Sequence, residues 1–330
     1  MAVLSTAALT LADLAKRKDT DGKIAKIVEI LGATNEILDD MLWLPTNDGT
    51  GHKSVIRTGL PTGTWRLLNY GVPQEKSTTV QVRDTTGMLE SYSQVDKALV
   101  DISDDKEGFL LSESKAFLEG MNQTMATTIF YGDSTVFPER FTGLTPRFNT
   151  LTGAENGQNI IDGGGTGSNN TSIWLICWDE NTVFGIYPKG TQGGLKQEPT
   201  KQETLFDAAG GMYEGYRTHF LWYCGLVVKD WRYVVRIANI DRTLLVKNAA
   251  TGPDLIDLMV QAIELLPNTR IGRAVFYVNR NIRSFLRRQI ANKSNVWLTM
   301  EEVAGKKVMT FDGIPVKRVD ALLNNEARVV

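Results

Sequence analysis

"FLLSESKAFLEGMNQTMATTIFYG", residues 109–132, is the stretch on which the fold turns. Leu110, Phe117, Met121, Met125 and Thr128 recur at helical spacing on one face, and Gly132 is placed to end the helix. At ~1.5 Å per residue, roughly 20 to 24 residues make a rod of about 30 to 36 Å, long for a globular helix. Such a rod belongs to a core and also serves as a spine for what packs along it.

Upstream, residues 46–96 change character. Short β-prone runs, "SVIRT", "TWRLLNY", "STTVQV" and "LESYSQV", are separated by Gly and Pro signals and read as a long hairpin system. Only Val80, Val82, Leu89 and Val95 offer apolar alternation in its second half. A polar two-stranded ribbon is marginal alone and must lean on something else. Further upstream the spacing predicts short helices. Thr10 caps the first, over 10–19. Ile24, Ile27, Val28 and Leu31 form a second stripe, and Ile37, Leu38, Met41 and Leu42 a third. Each stripe needs a partner surface, in the same chain or on a neighbouring one.

Downstream, a turn-rich segment leads to "IIDGGGTGSNN", residues 160–170, with four glycines between 163 and 167. An α/β region follows. "SIWLICW" and "TVFGIY" suit two strands, "THFLWYCGLVV" and "YVVRIANI" a second pair, and "PDLIDLMVQAIELLPN" an amphipathic helix. "RAVFYV" feeds a helix capped by Asn279, with Ile282, Phe285 and Leu286 inward. The tail "KVMTFDGIPVKRVDALLNNEARVV" turns at Asp312 and Gly313.

With 330 residues and 42% hydrophobic content, the chain can bury a sizeable core in about two domains. The longest apolar run, 221–228, is far short of the ~18 residues that span a bilayer, and the N-terminus lacks a secretory pattern, so folding in the cytosol is expected. A net charge of -2 supplies no overall attraction to nucleic acid. Cys177 and Cys224 sit in apolar runs and read as buried free thiols.

Chemistry is hard to find. The only Gly-Lys pairs, Gly22-Lys23 and Gly305-Lys306, have Arg17 and Met300 where a phosphate loop needs its first glycine, and Ser168 replaces the third glycine of a dinucleotide fingerprint. His52 reads as surface and His219 as a hydrogen-bonded core residue. Neither has zinc-ligand spacing, and no nucleophile elbow is present. No catalytic residue, metal or cofactor is expected.

One charge pattern stands out. Between 265 and 300 lie Arg270, Arg273, Arg280, Arg283, Arg287, Arg288 and Lys293, without one acidic residue. Arg280, Arg283 and Arg287 share a helix face. They suit either nucleic-acid phosphate or an acidic surface such as 101–107, with Asp104 and Asp105, on the same or an adjacent subunit. Protein contacts are the favoured reading.

The order of parts, together with "KIAKIVEILGATNEILDDMLWLPTN", "VIRTGLPTGTWRLLNYGV", "FLEGMNQTMATTIFYGD", "SIWLICWDENTVFGIYPKG" and "FDGIPVKRVDALLNNEARV", resembles the major capsid proteins of tailed double-stranded DNA bacteriophages. The likeness is to the short-tailed type with a separate scaffold. It implies an α+β fold with an N-terminal arm (1–45), an extended loop (46–96), a peripheral domain carrying the long helix and a glycine junction loop (97–170), an axial domain (171–307) and returning C-terminal strands (308–330). It implies self-assembly as pentamers and hexamers into an icosahedral shell around DNA. The implied partners are a scaffolding protein, a portal, a decoration or cementing protein and, non-specifically, the packaged duplex. No membrane is involved, and assembly takes place in the host bacterial cytoplasm.

Inter-subunit contacts are expected at Ile24, Ile27, Leu31, Lys53, Arg57, Trp65, Arg66, Asp104, Asp105, Arg280, Arg283 and Arg287. Lys53, Lys76 and Lys97 are expected to solubilise the ribbon rather than cross-link it. The rival readings are a nucleic-acid module centred on 270–293 and, further off, an enzyme holding a phosphorylated ligand at 163–167.

Overall fold

The computed structural model describes residues 9, 33, 35–49, 51–103, 105–207, 209–245, 253–292, 298–303 and 306–330. The expected helices over 10–19 and 24–31 lie outside these. The third is only a single turn, Ile37–Asp40, because Met41 is already extended.

Fifteen strands follow: β1 (Trp43–Pro45), β2 (Gly51–Gly59), β3 (Thr78–Thr85), β4 (Gly87–Asp96), β5 (Ile160–Asp162), β6 (Asn170–Trp178), β7 (Val183–Tyr187), β8 (Leu195–Gln197), β9 (Lys201–Phe206), β10 (Met212–Val228), β11 (Val234–Asp241), β12 (Arg273–Val278), β13 (Leu298–Val303), β14 (Lys306–Phe311) and β15 (Ile314–Arg318). All but β2 and β3 belong to one sheet, whose main path runs β13-β14-β15-β12-β6-β7-β10-β4.

Two pairings differ from expectation. The β2–β3 ribbon stands apart, while β4 leaves it and runs antiparallel to β10 from Gly87↔Cys224 to Asp96↔Gly215. β10 and β11, neighbours in sequence, do not pair with each other. β11 joins β6 and β5 instead.

The core explains the near-continuous apolar text of β6. Alternate residues of a strand face opposite sides of its sheet, and here both sides are covered. Trp174, Ile176 and Trp178 pack with Met121, Met125, Ile129 and Phe130 of the long helix. Ile173, Leu175 and Cys177 pack with Met259 and Ala262 of the helix Leu255–Glu264 and with Ile282 and Leu286 of the helix Arg280–Asn292.

The long helix spans Lys106–Tyr131, about 39 Å at ~1.5 Å per residue. It starts three residues before the expected position because the Asp105 carboxylate accepts from the Gly108 N–H at 2.9 Å and caps it. Gly132 ends it with φ of -60°, so a left-handed cap is not the reason for glycine. Crowding is: a Cβ there would lie 2.5 Å from the Phe141 carbonyl oxygen and 2.6 Å from that of Thr128.

The glycine run is a turn inside the sheet. The strands on either side of it, β5 and β6, both pair with β11. Gly163 N–H donates to the Ala238 carbonyl at 2.8 Å and Gly165 N–H to that of Asn239 at 2.7 Å. A Cβ on Gly165 would sit 2.5 Å from the Asn239 oxygen, so glycine is required for close approach.

The C-terminal segment is stitched back over this region. Asn239, with φ of 55° at a bulge in β11, donates to the Val329 carbonyl and accepts from the Val329 N–H. Arg236, 2% exposed, donates to Glu326 at 2.8 Å, to the Phe148 carbonyl at 2.6 Å and to Ser172 at 3.1 Å. Glu326 also accepts from Tyr131 and Ser172. Burial, with the Glu326 charge beside it, pushes the Tyr131 phenol far above its ordinary value and keeps it a donor. Arg236→Met would strand the buried Glu326 charge, so a loss of about 3–5 kcal/mol is expected. Chemical denaturation of the purified chain measures it.

Candidate assembly interface

The ribbon is the least self-sufficient part of the molecule. Residues 60–77 between its strands are all exposed, including Leu60, Leu67, Leu68, Tyr70 and Val72, and Trp65 is fully solvent-facing. Isolated surface apolar residues are ordinary, but a contiguous run of them marks an interaction surface. Lys53, Arg57 and Arg66 are exposed on the same ribbon.

Its base, by contrast, is firmly held. Asp84 on β3 is buried and accepts from Arg147 at 2.6 Å. The same Arg147 guanidinium reaches the carbonyls of Thr142, Gly143 and Leu226. A polar cluster covers the ribbon's start, where Lys53 and Arg83 both meet Asp48. β1 runs parallel to β7, and Thr46 continues the attachment by donating its N–H to Tyr187 and accepting from the Lys189 N–H.

His52 packs edge-on against Phe184 at 5.3 Å, with a buried Nδ1 that has no hydrogen-bond partner. It is half-buried rather than the surface residue expected. Burial, together with Lys229, pulls its pKa below the ordinary 6.5 against the opposing pull of Asp84.

The basic helix brings Arg280, Arg283 and Arg287 around one cleft, as their spacing predicts, and adds Arg318 from β15, which its sequence position did not suggest. Part of the basic charge is neutralised from elsewhere: Arg280 pairs with Asp320 at 3.0 Å and Arg273 with Asp40 at 3.0 Å. The acidic stretch is likewise engaged locally, with Asp101 bound to Lys106 and Asp105 capping its helix. Ile24, Ile27, Leu31 and Asp104 lie outside the described residues.

The Gly163 and Gly165 amides are bound to β11, and Gly164 N–H donates to Asp162 at 2.9 Å, so these donors do not face a phosphate. Burial pushes the Cys177 thiol up to about 12 and raises that of Cys224 further, which keeps both un-ionised. No group of metal-ligating residues is found among the described residues. His219 is not the core residue expected: it is half-buried, stacks on Tyr92 at 4.3 Å and lies 3.3 Å from Glu90.

The profile of the family described as "Major capsid protein GP7" matches residues 19–330, nearly the whole chain. The chain belongs to this family. It is a structural capsid protein, not an enzyme, and a component of the virion shell. A solved structure of bacteriophage Epsilon15 is similar at 41% identity and a TM-score of 0.81, covering 100% of this chain and 99% of that one. The capsid of bacteriophage JBD30 decorated with minor capsid protein trimers is 12% identical with a TM-score of 0.47, covering 96% and 99%. Among curated proteins none matches.

Two measurements test how the capsid protein holds its ribbon. Arg147→Met should leave the buried Asp84 unpaired, cost about 3–5 kcal/mol and speed proteolysis within 51–85. In an NMR titration His52 should protonate below pH 6.5. Because its folded pKa is depressed, its contribution is complete above the unfolded value of about 6.5 and is lost as pH falls towards the folded one. His52→Gln should remove that acid sensitivity.

Proposed function

We propose that copies of this chain close into an icosahedral shell of pentamers and hexamers around double-stranded DNA, with the 60–77 loop lying on the next subunit. The observation that carries this reading is the set of exposed apolar side chains between Leu60 and Val72, on a ribbon whose base is anchored by Arg147 and Asp84. A single chain leaves these side chains in water. A neighbour that covers them gains roughly 25 cal/mol per Å² of apolar area before ordering costs.

Trp65 supplies the largest anchor, and Lys53, Arg57 and Arg66 supply charge at its rim, an arrangement that suits an interface centre. Residues 1–45 then serve as an arm, 97–170 and 308–330 as a peripheral domain and 171–307 as an axial one. Ile24, Ile27 and Leu31 would contribute from the arm, Asp104 and Asp105 from the acidic stretch, and Arg280, Arg283 and Arg287 from a basic face that Asp320 balances only in part. A separate scaffold, a portal and a cementing protein complete the assembly, which takes place in the bacterial cytoplasm.

Trp65→Ala and the pair Leu67→Asp, Leu68→Asp leave the core untouched, so the thermal midpoint of the free chain should stay constant. Each lost anchor weakens a contact by about 1.5–3 kcal/mol, repeated at every copy. Sedimentation after co-expression with the scaffold should show shells for the wild type and slow-sedimenting subunits for the variants. Shells of normal size from the double aspartate variant would remove the tip from the interface.

A further inference from the structure

We propose that the cleft between Arg283, Arg287 and Arg318 is a binding site for a phosphate oxyanion, supplied as free phosphate or as the phosphodiester of a nucleic acid. The inference concerns one chain and stands whether or not the tip drives assembly.

The site is built by packing. Asn279 caps the basic helix by accepting from the Asn281 N–H at 3.0 Å, and Ile282 and Leu286 enter the core. Those two anchors turn Arg283 and Arg287, each one residue further on and one helical turn apart, towards Arg318 at the end of β15. With Arg280 and Ser284 they line a cleft of about 250 Å³.

Its charge is unbalanced. Arg280 and Arg318 share the Asp320 carboxylate. The side chains of Arg283 and Arg287 have no hydrogen-bond or ion-pair partner among the described residues, and the Arg283 Nε is buried without one. Burial, with Arg287 and Arg318 alongside, lowers the Arg283 pKa, and Glu36 opposes this. Among the described residues, four guanidinium groups thus face two carboxylates, Asp320 and Glu36, leaving a surplus of two positive charges.

A buried donor beside like charges is costly until an anion arrives. A phosphate group answers both deficits, because its oxygens accept from several planar guanidinium forks at once and its negative charge, about two as free phosphate and one per phosphodiester, offsets the surplus. The Ser284 hydroxyl, on the same wall, adds a neutral donor. A carboxylate holds both its oxygens in one plane and suits a single guanidinium fork, whereas the tetrahedral oxygens of a phosphate group point to several.

The full-length chain is titrated with sodium phosphate by calorimetry in a non-phosphate buffer at constant chloride. Saturable binding is expected, weakened roughly tenfold or more by Arg283→Gln and by the exposed Arg287→Gln, since each removes a charge-assisted bond. Arg288→Gln should bind as the wild type does, because that guanidinium lies over the Phe285 ring at 5.2 Å and is not part of the cleft wall. A short DNA duplex that competes with phosphate, with a salt slope reduced by about one in Arg287→Gln, identifies the phosphodiester as the occupant. Phosphate binding without duplex competition identifies free phosphate. Absence of saturable phosphate binding, wild-type affinity in both glutamine variants, or binding of polyglutamate in place of phosphate overturns the proposal.

Discussion

The buried pair between Arg236 and Glu326 is the constraint on which the rest of this chain depends. Arg236 sits in β11, Glu326 in the last few residues, and the groups that complete their bonding come from β6 (Ser172), from the end of the long helix (Tyr131) and from the segment after it (Phe148). Trp174 lies under the guanidinium at 5.1 Å. Five stretches far apart in sequence therefore meet at two side chains. Taking such charges out of water costs several kcal/mol per ion, and an apolar replacement of the same volume could be as stable. What an apolar replacement lacks is direction. Only one placement of the tail satisfies the guanidinium and its carboxylate together, and the same placement lets Asn239 bond both polar groups of Val329.

That pinned tail makes the body self-contained, and the ribbon is its opposite. The two faces of the central sheet are covered from within the chain, by the long helix on one side and by two shorter helices on the other. The ribbon's tip is covered by nothing among the described residues. Its rigid base matters as much as its apolar end, because a loop already oriented by the Arg147–Asp84 pair loses less freedom when it docks than a free one. The division fits a protein that folds as one chain and acts as many.

How much of this could be read beforehand depended on the range of the interaction. The long helix was legible because its periodicity is local, although the Asp105 cap that starts it three residues earlier went unread. The Asp312-Gly313 turn was legible for the same reason, both residues having positive φ as the hairpin turn requires. Strand partners were not. β4 and β10 find each other across more than a hundred residues, and nothing in "THFLWYCGLVV" distinguishes that partner from the adjacent "YVVRIANI". The central ion pair left one mark, an arginine within the otherwise apolar run of β11, where an unpaired charge would be untenable. Arg318 in the cationic cleft left none, since only the β12–β15 pairing carries it alongside the helix.

The tip also has to avoid misuse before it is buried. A two-stranded ribbon has two open edges, and exposed apolar residues on extended strands are a template for aggregation. Here most of the exposed apolar residues, Val55 and Val80 excepted, lie beyond the strands, in a loop with Pro61, Gly63, Gly71 and Pro73, where prolines remove donors and glycines disfavour a regular ladder. The strands themselves carry Lys53, Arg57, Arg83 and Asp84. Apolar contact and open backbone are thus kept largely at separate places along the ribbon. A neighbour can gain area from side chains such as Trp65 and Leu68 without competing with strand addition along β2 or β3, and specificity for the intended partner follows from that separation.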